Sequence, residues 1–200
     1  MKVLVACECS GRVREAFREA GHDAWSCDIQ PADDSSPYHI QDDVLDVIMW
    51  DDWDMMIAFP PCTHLASSGA RWFTQADKII KQNRALAFVE VLMNAPIPRI
   101  AIENPVGIIS TRIRKPDQYI QPYFFGDRAR KKTGLWLYNL PHLEPTEMVE
   151  PDLVTYARKD GTKITFSADY GGSGRGSGKR RSVTYPGIAL AMSEQWGDLA

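Results

Sequence analysis

The chain has no apolar run approaching the roughly 18 residues that a membrane-spanning helix needs, which excludes a helical anchor within its 200 residues. Its first apolar stretch, Lys2–Ala6, is too short for the core of a secretory signal and reads as a strand. Cysteine is scarce. Cys7, Cys9, Cys27 and Cys62 include no C-x-x-C pair, and no His-x-x-x-His spacing accompanies them. A metal centre built from Cys7, Cys9, Cys27 and Cys62 is the alternative such a set allows. The spacing does not favour it, and no metal is expected. Without an export signal the four thiols are expected to be reduced, in the cytoplasm. Glycine is thin where a nucleotide-binding turn would need it. Ala6-Cys7-Glu8-Cys9-Ser10-Gly11 holds one glycine, so the dinucleotide fingerprint is missing. No internal repeat is visible, which removes solenoids and propellers.

What is present suits a globular chain. At 44% hydrophobic residues it can bury a sizeable core, and its length fits a single domain. Strand and helix patterns alternate through the first two-thirds. Lys2–Ala6 is a strand, and Ser10 is positioned to cap a helix over Gly11–Ala20, where Val13, Ala16, Phe17 and Ala20 share one face. Ala24–Cys27, Tyr38–Ile40, Met55–Ala58, Ile100–Ile102 and Leu135–Tyr138 read as strands. Val44–Trp50 and Gln75–Met93 read as helices. Thr155–Arg158 and Lys163–Phe166 pattern as a hairpin, Gly171–Gly178 is Gly/Ser-rich, and a terminal helix covers about 187–196. Alternating β and α predicts an α/β fold with a doubly wound, mostly parallel sheet.

The net charge of −3 hides a polarity. Residues 1–106 carry 9 Lys/Arg against 16 Asp/Glu, and residues 107–200 carry 14 against 10. The basic excess gathers at Arg112, Arg114, Lys115, Arg128, Arg130, Lys131 and Lys132, and again at Arg175, Lys179, Arg180 and Arg181. Such an end suits an anionic partner, while the overall acidity argues against tight non-specific DNA binding.

Two strand ends carry the chemistry. Met55–Ala58 runs into Phe59-Pro60-Pro61-Cys62, so a thiol follows two prolines at the carboxyl edge of a buried strand, where open α/β sheets bind ligands. Ile100–Ile102 ends in Glu103-Asn104-Pro105, a carboxylate at a second strand end. Asp28 closes the second strand, where a ribose-binding acid belongs in such folds, and Asp42 and Asp43 follow the third.

This combination resembles the DNA cytosine-5 methyltransferases, and most closely their short phage-encoded members. Pro60-Pro61-Cys62 is similar to the nucleophile motif and Glu103-Asn104-Pro105 to the Glu-Asn-Val motif. Cys7, Glu8, Cys9, Ser10 and Gly11 stand where the cofactor loop stands, and Glu19-Ala20-Gly21-His22 looks like its helix-ending segment. Gly126–Thr133 is similar to the basic motif that contacts base and backbone. Tyr185-Pro186-Gly187 stands where the last cofactor-pocket motif opens the terminal helix.

The resemblance implies a Rossmann-like methyltransferase fold that binds S-adenosylmethionine. The cofactor would be held through Cys7–Gly11, Asp28 with Ile29, Asp42, Asp43, Pro60 and Gly187. Cys62 would attack cytosine C6 and make C5 nucleophilic, while Glu103 hydrogen-bonds the ring. Pro61, Asn104, Arg128, Arg130, Lys131 and Lys132 would meet DNA, together with Arg175, Lys179, Arg180 and Arg181, and the base would be flipped from the duplex. The departures are specific. The cofactor loop lacks Phe-x-Gly-x-Gly, Pro105 replaces valine, and no Gly-Asn pair opens the last motif. Residues 141–181 are far short of a full recognition domain, which implies a short target or a protein partner that confers specificity. Two other readings stay open: a catalytically silent relative that binds S-adenosylmethionine or DNA, and an enzyme acting on RNA cytosine or a pyrimidine nucleotide.

Overall fold

The computed structural model describes residues 1–66, 76–158, 160–168 and 183–199. Its centre is a seven-stranded sheet of β1 (Lys2–Ala6), β2 (Asp23–Asp28), β3 (His39–Gln41), β4 (Met55–Ala58), β5 (Ile100–Pro105), β6 (Gln118–Ile120) and β7 (Thr133–Tyr138), in the order 3-2-1-4-5-7-6. β1 to β5 are parallel. β7 is antiparallel to both β5 and β6. The expected doubly wound, mostly parallel sheet is present.

Alternation along the strands builds a core on each face. Leu4, Ala6, Met56, Ala58, Ile100 and Ile102 meet α2 (Val44–Val47) and α3 (Ala76–Met93), while Val3, Val5, Met55, Ile57 and Ala101 meet α1 (Arg12–Glu19) and α5 (Pro186–Gly197). All four residues of β4 are buried, as expected of a strand covered on both sides. A short α4 (Ile109–Arg112) follows β5, and β8 (Leu153–Ala157) pairs with β9 (Lys163–Ser167) as a separate hairpin. No described helix is long and apolar enough to cross a membrane.

Two local expectations are corrected. The first helix begins at Arg12, and its cap is the buried Glu8 rather than Ser10. Glu8 accepts from the Val13 and Arg14 backbone N–H groups at 2.9 and 3.2 Å, while the Ser10 hydroxyl donates to Glu8 at 3.2 Å and accepts from Arg12 N–H only at 3.4 Å. The tight turn after β1 leaves the orphan donors of α1 facing Glu8, and two charge-assisted bonds outcompete one hydroxyl. Second, α2 stops at Val47, short of Trp50. β6 and the antiparallel direction of β7 have no counterpart in the residue pattern.

Arg14 is fully buried. Its guanidinium reaches Ser26 Oγ at 2.8 Å, Glu15 at 2.8 Å and the Asp34 carboxylate, tying α1 to β2 and to the loop after it. Gly11 makes room for it. With φ of 70°, the position disfavours other residues, and a Cβ there would collide with the Arg14 guanidinium.

Candidate active site

The strand order reverses direction between β1 and β4, which opens a crevice at the carboxyl ends of these neighbours. A cavity of about 480 Å³ lies there, within the range of small-ligand sites. One wall is Cys7, Cys27, Asp28, Ile29, Gln30, Asp42, Asp43 and Val44 from the ends of β1, β2 and β3. Another is Pro61, Thr63, His64 and Leu65 around Cys62. A third is Lys81, Arg84, Ala85 and Phe88 of α3.

Of the residues implied to hold the cofactor, Cys7, Asp28, Ile29, Asp42 and Asp43 line this cavity, and Pro61 joins them. Glu8, Cys9, Ser10, Gly11, Pro60 and Gly187 do not. Local roles account for several of these. Glu8 caps α1, and burial pushes its carboxyl up against the pull of its backbone donors, Ser10 and the Arg14 charge. Gly11 accommodates Arg14. Pro60 presents its carbonyl to Asn104. Gly187 donates to Asp127 at 2.9 Å and packs on the Phe125 carbonyl, which seats α5 on the loop before β7.

The α3 wall has no counterpart in the sequence reading. Its signal was there, because 81, 84, 85 and 88 fall on one helical face. Lys81 and Arg84 on this face are exposed, while Ala85 and Phe88 beside them are half-buried.

Cys62 opens a 3-10 turn, Cys62–His64, whose carbonyl at Cys62 receives the Leu65 and Ala66 N–H groups at 3.0 and 2.9 Å. The turn is anchored from β5. Asn104, buried, donates its side-chain amide to Pro60 O at 2.7 Å, and Ile108 N–H bonds Leu65 O at 2.9 Å beside an Ala66–Gly107 bridge. Asn104 Oδ1 has no hydrogen-bond partner among the described residues. Gly107 is required by this closeness, since a Cβ would run into the Leu65 carbonyl oxygen. Gly107→Ala is therefore expected to destabilise the protein by about 1–3 kcal/mol, the usual cost of overpacking. Thermal unfolding measures it, and an unchanged midpoint would show that the loops part freely.

Glu103 sits one residue past the last β4–β5 pair, Ala58 with Ile102, on the strand beside the one that leads to Cys62. The antiparallel β7 pairs Leu135 with Glu103 and Thr133 with Pro105, so the start of β7 and the basic run before it come to the same sheet edge. Glu103 as a residue is only half-buried, but burial pushes its carboxyl up. The Lys131 charge and a hydrogen bond with the Thr133 side chain pull the other way. A carboxyl so held tends to keep its proton and can donate it in a hydrogen bond.

The other thiols differ in setting. Burial pushes Cys7 and Cys27 up, Cys27 to about 12, with Asp28 adding to both, so these two are held as neutral thiols. None of the four cysteines forms a disulfide. Among the described residues no cluster of His, Cys, Asp or Glu suits a metal ion.

The basic segment is divided in its duties. Arg128 pairs with Asp152 at 2.9 Å and Arg130 N–H donates to Ser167 Oγ, so both hold the base of the β8–β9 hairpin. Lys131 lies 5.9 Å from the Tyr185 ring centroid and Lys132 lies 4.1 Å from that of Tyr119. The Arg128, Arg130 and Lys132 side chains are exposed. Arg175, Lys179, Arg180 and Arg181 lie outside the described residues.

No protein-family model matches the chain, and no curated protein matches it in sequence. Among solved structures, it is similar to an E. coli prophage protein described as a candidate DNA modification methyltransferase, at 15% identity and a TM-score of 0.49. The match covers 75% of this chain and 52% of the other, so this chain spans about half the length of its structural counterpart.

Proposed function

We propose that the protein is a DNA cytosine-5 methyltransferase that uses S-adenosylmethionine. One observation carries the reading: a half-exposed cysteine follows β4 between Pro61 and Thr63, which line the 480 Å³ cavity, and a carboxyl pushed up by burial stands at the end of the adjacent β5. The donor set of that cavity fits the cofactor. Asp28, Asp42 and Asp43 offer acceptors for ribose hydroxyls, an exocyclic amine and an ammonium group, while Val44, Leu65 and Phe88 offer apolar surface for a base. When bound, S-adenosylmethionine supplies an electrophilic methyl group. The chain supplies the rest. The Cys62 thiolate adds to cytosine C6 and shifts the C5–C6 π electrons onto C5, while protonated Glu103 hydrogen-bonds the ring nitrogen where charge develops and Asn104 steadies the turn by holding Pro60 O. Once C5 carries the methyl group, loss of the C5 proton to a base re-forms the double bond and expels the thiolate. Arg130 and Lys132, exposed beside this edge, would meet phosphates, which position DNA without specifying sequence. Residues 1–200 act as one methyltransferase unit with a reduced recognition region at 141–181.

S-adenosylhomocysteine should raise the melting temperature by mass action, and Asp28→Ala should weaken its binding measured by calorimetry. Wild-type protein that binds none at millimolar concentration would end this reading. Incubation with labelled S-adenosylmethionine and duplex DNA, RNA or nucleotides, followed by nucleoside mass spectrometry, tests the activity. 5-Methylcytosine in DNA is the expected product. Product only in RNA or nucleotides would move the assignment to another pyrimidine.

A further inference from the structure

The reaction ends on a proton that none of the groups placed so far can take. Once C5 carries the methyl group, a C5–H bond and a C6–S bond must break on neighbouring ring atoms. The proton acceptor therefore has to stand close to the Cys62 sulfur. Most acceptors at this edge are excluded by position or by what they already hold. Neighbouring strands lie about 4.8 Å apart, so in the order 3-2-1-4 the end of β2 is about 10 Å from that of β4, and the end of β3 about 14 Å. Asp28 closes β2, and Asp42 and Asp43 follow β3, which leaves all three too distant. Glu8, beyond β1, is buried and occupied by the Val13 and Arg14 N–H groups. Burial pushes the Glu103 carboxyl up, so it tends to keep its own proton. Cys7 and Cys27 are neutral thiols, and the Lys81 and Arg84 side chains only donate.

His64 remains, and its place suits the step. It lines the cavity, half-buried, two residues after Cys62 on the same 3-10 turn. Two residues span at most about 7 Å of chain, so an imidazole at 64 can reach a ring atom next to the one bonded to the Cys62 sulfur. The turn that carries both side chains is closed by the Leu65 and Ala66 N–H groups on the Cys62 carbonyl, and is held to β5 through Asn104 and Ile108. Thiol and imidazole are thus mounted on one fixed piece of backbone. His64 makes no hydrogen bond or ion pair among the described residues, which leaves its ring nitrogens for a substrate. Imidazole is the side chain that most often moves protons in catalysis near neutral pH.

We propose that His64 is the base that takes the C5 proton in the last step of the reaction, an assignment that rests on the methyltransferase reading above. The C5–H electron pair becomes the C5–C6 double bond, and the C6–S pair leaves with the sulfur as thiolate. The imidazolium then gives its proton to solvent, to which His64 is partly exposed.

The experiment compares wild type, His64→Gln and His64→Ala, with melting temperature as the control for folding. On duplex DNA with ordinary cytosine and labelled S-adenosylmethionine, both variants should turn over roughly 10²–10⁴-fold more slowly, the span of a positioned base. They should also accumulate a methylated covalent protein–DNA adduct that survives denaturation, whereas wild type releases its product. On a 5-fluorocytosine duplex the last step is blocked in every case, so all three proteins should form adduct at the same rate. S-adenosylhomocysteine should bind all three alike in calorimetry. Slow turnover without adduct on cytosine, or slow adduct formation on 5-fluorocytosine, would place His64 ahead of proton removal and overturn the proposal. Turnover at the wild-type rate, or weaker S-adenosylhomocysteine binding that accounts for the loss, would overturn it as well, while leaving the methyltransferase reading intact. Wild-type protein that makes no 5-methylcytosine would instead remove that reading, and the role of His64 with it.

Discussion

Cys62→Ala is expected to abolish methyl transfer to cytosine while leaving cofactor affinity and melting temperature near wild type. The chemical reason is that C5 of cytosine is a poor nucleophile until a thiolate has added at C6, and the cavity's own thiols, Cys7 and Cys27, are held neutral by burial. The structural reason is that Cys62 starts a turn closed by its own backbone carbonyl, which alanine retains, and its side chain is not enclosed in the core. The cavity is lined by Pro61, Thr63, His64 and Leu65 rather than by Cys62, so the alanine variant keeps the walls that the cofactor would touch. Methyl incorporation and S-adenosylhomocysteine calorimetry read the two effects separately. A duplex containing 5-fluorocytosine should trap the wild-type protein as a covalent adduct, because fluorine cannot leave C5 as a proton does. The alanine variant should form none. Retained turnover in that variant would remove Cys62 from the mechanism.

Glu103→Gln is expected to lower the rate by roughly 10²–10⁴-fold, the span of a positioned acid/base group, with little change in melting temperature at pH values where Glu103 is protonated. It also predicts a change in pH dependence whose sign follows from burial. Because burial holds the Glu103 carboxyl above the ordinary glutamate range, the protonated form persists to higher pH than in a free side chain. The rate limb that requires this proton should fall as pH rises through the raised value. Stability follows the same direction. The contribution is fully present below the ordinary glutamate pKa and is lost as pH rises through the folded-state pKa. Glutamine does not titrate, so both the limb and the linked loss of stability should disappear in the variant. Equal losses of activity and stability at every pH would make Glu103 a structural residue instead.

The legible part of this molecule is the part written in short-range patterns. The buried run Met55–Ala58, the two prolines and the cysteine after it, and Glu103 at the end of the next strand are all readable because strand periodicity and turn chemistry are local. The β8–β9 hairpin and the terminal helix follow the same rule, to within a residue or two at their ends. Arg14 was not legible. It lies among the residues of an amphipathic helix, and its burial depends on Ser26 from β2 and Asp34 from a loop twenty residues away. The capping by Glu8 was hidden likewise. It depends on how the chain turns between β1 and α1, through the left-handed Gly11, which brings a side chain four residues before the helix under its first turn.

The sequence by itself determined an α/β chain with a mostly parallel sheet, a thiol and a carboxylate at the ends of two of its strands, and acids after two others. Each of these follows from hydrophobic periodicity and from residues that terminate strands. Only the tertiary structure decided what stands beside them. β7 enters antiparallel next to β5, so Thr133 and the basic run arrive at the carboxyl of Glu103, although residues 103 and 133 are far apart in the chain. A three-residue strand, Gln118–Ile120, completes the sheet on the other side of β7. Strand direction and neighbour choice are set by which edges remain to be paired and which faces to be covered. These are properties of the assembled sheet, and no local pattern encodes them. The α3 wall of the cavity is decided the same way. Its face was periodic in the sequence, but what it faces was fixed only when α2 and α3 packed together on one side of the sheet.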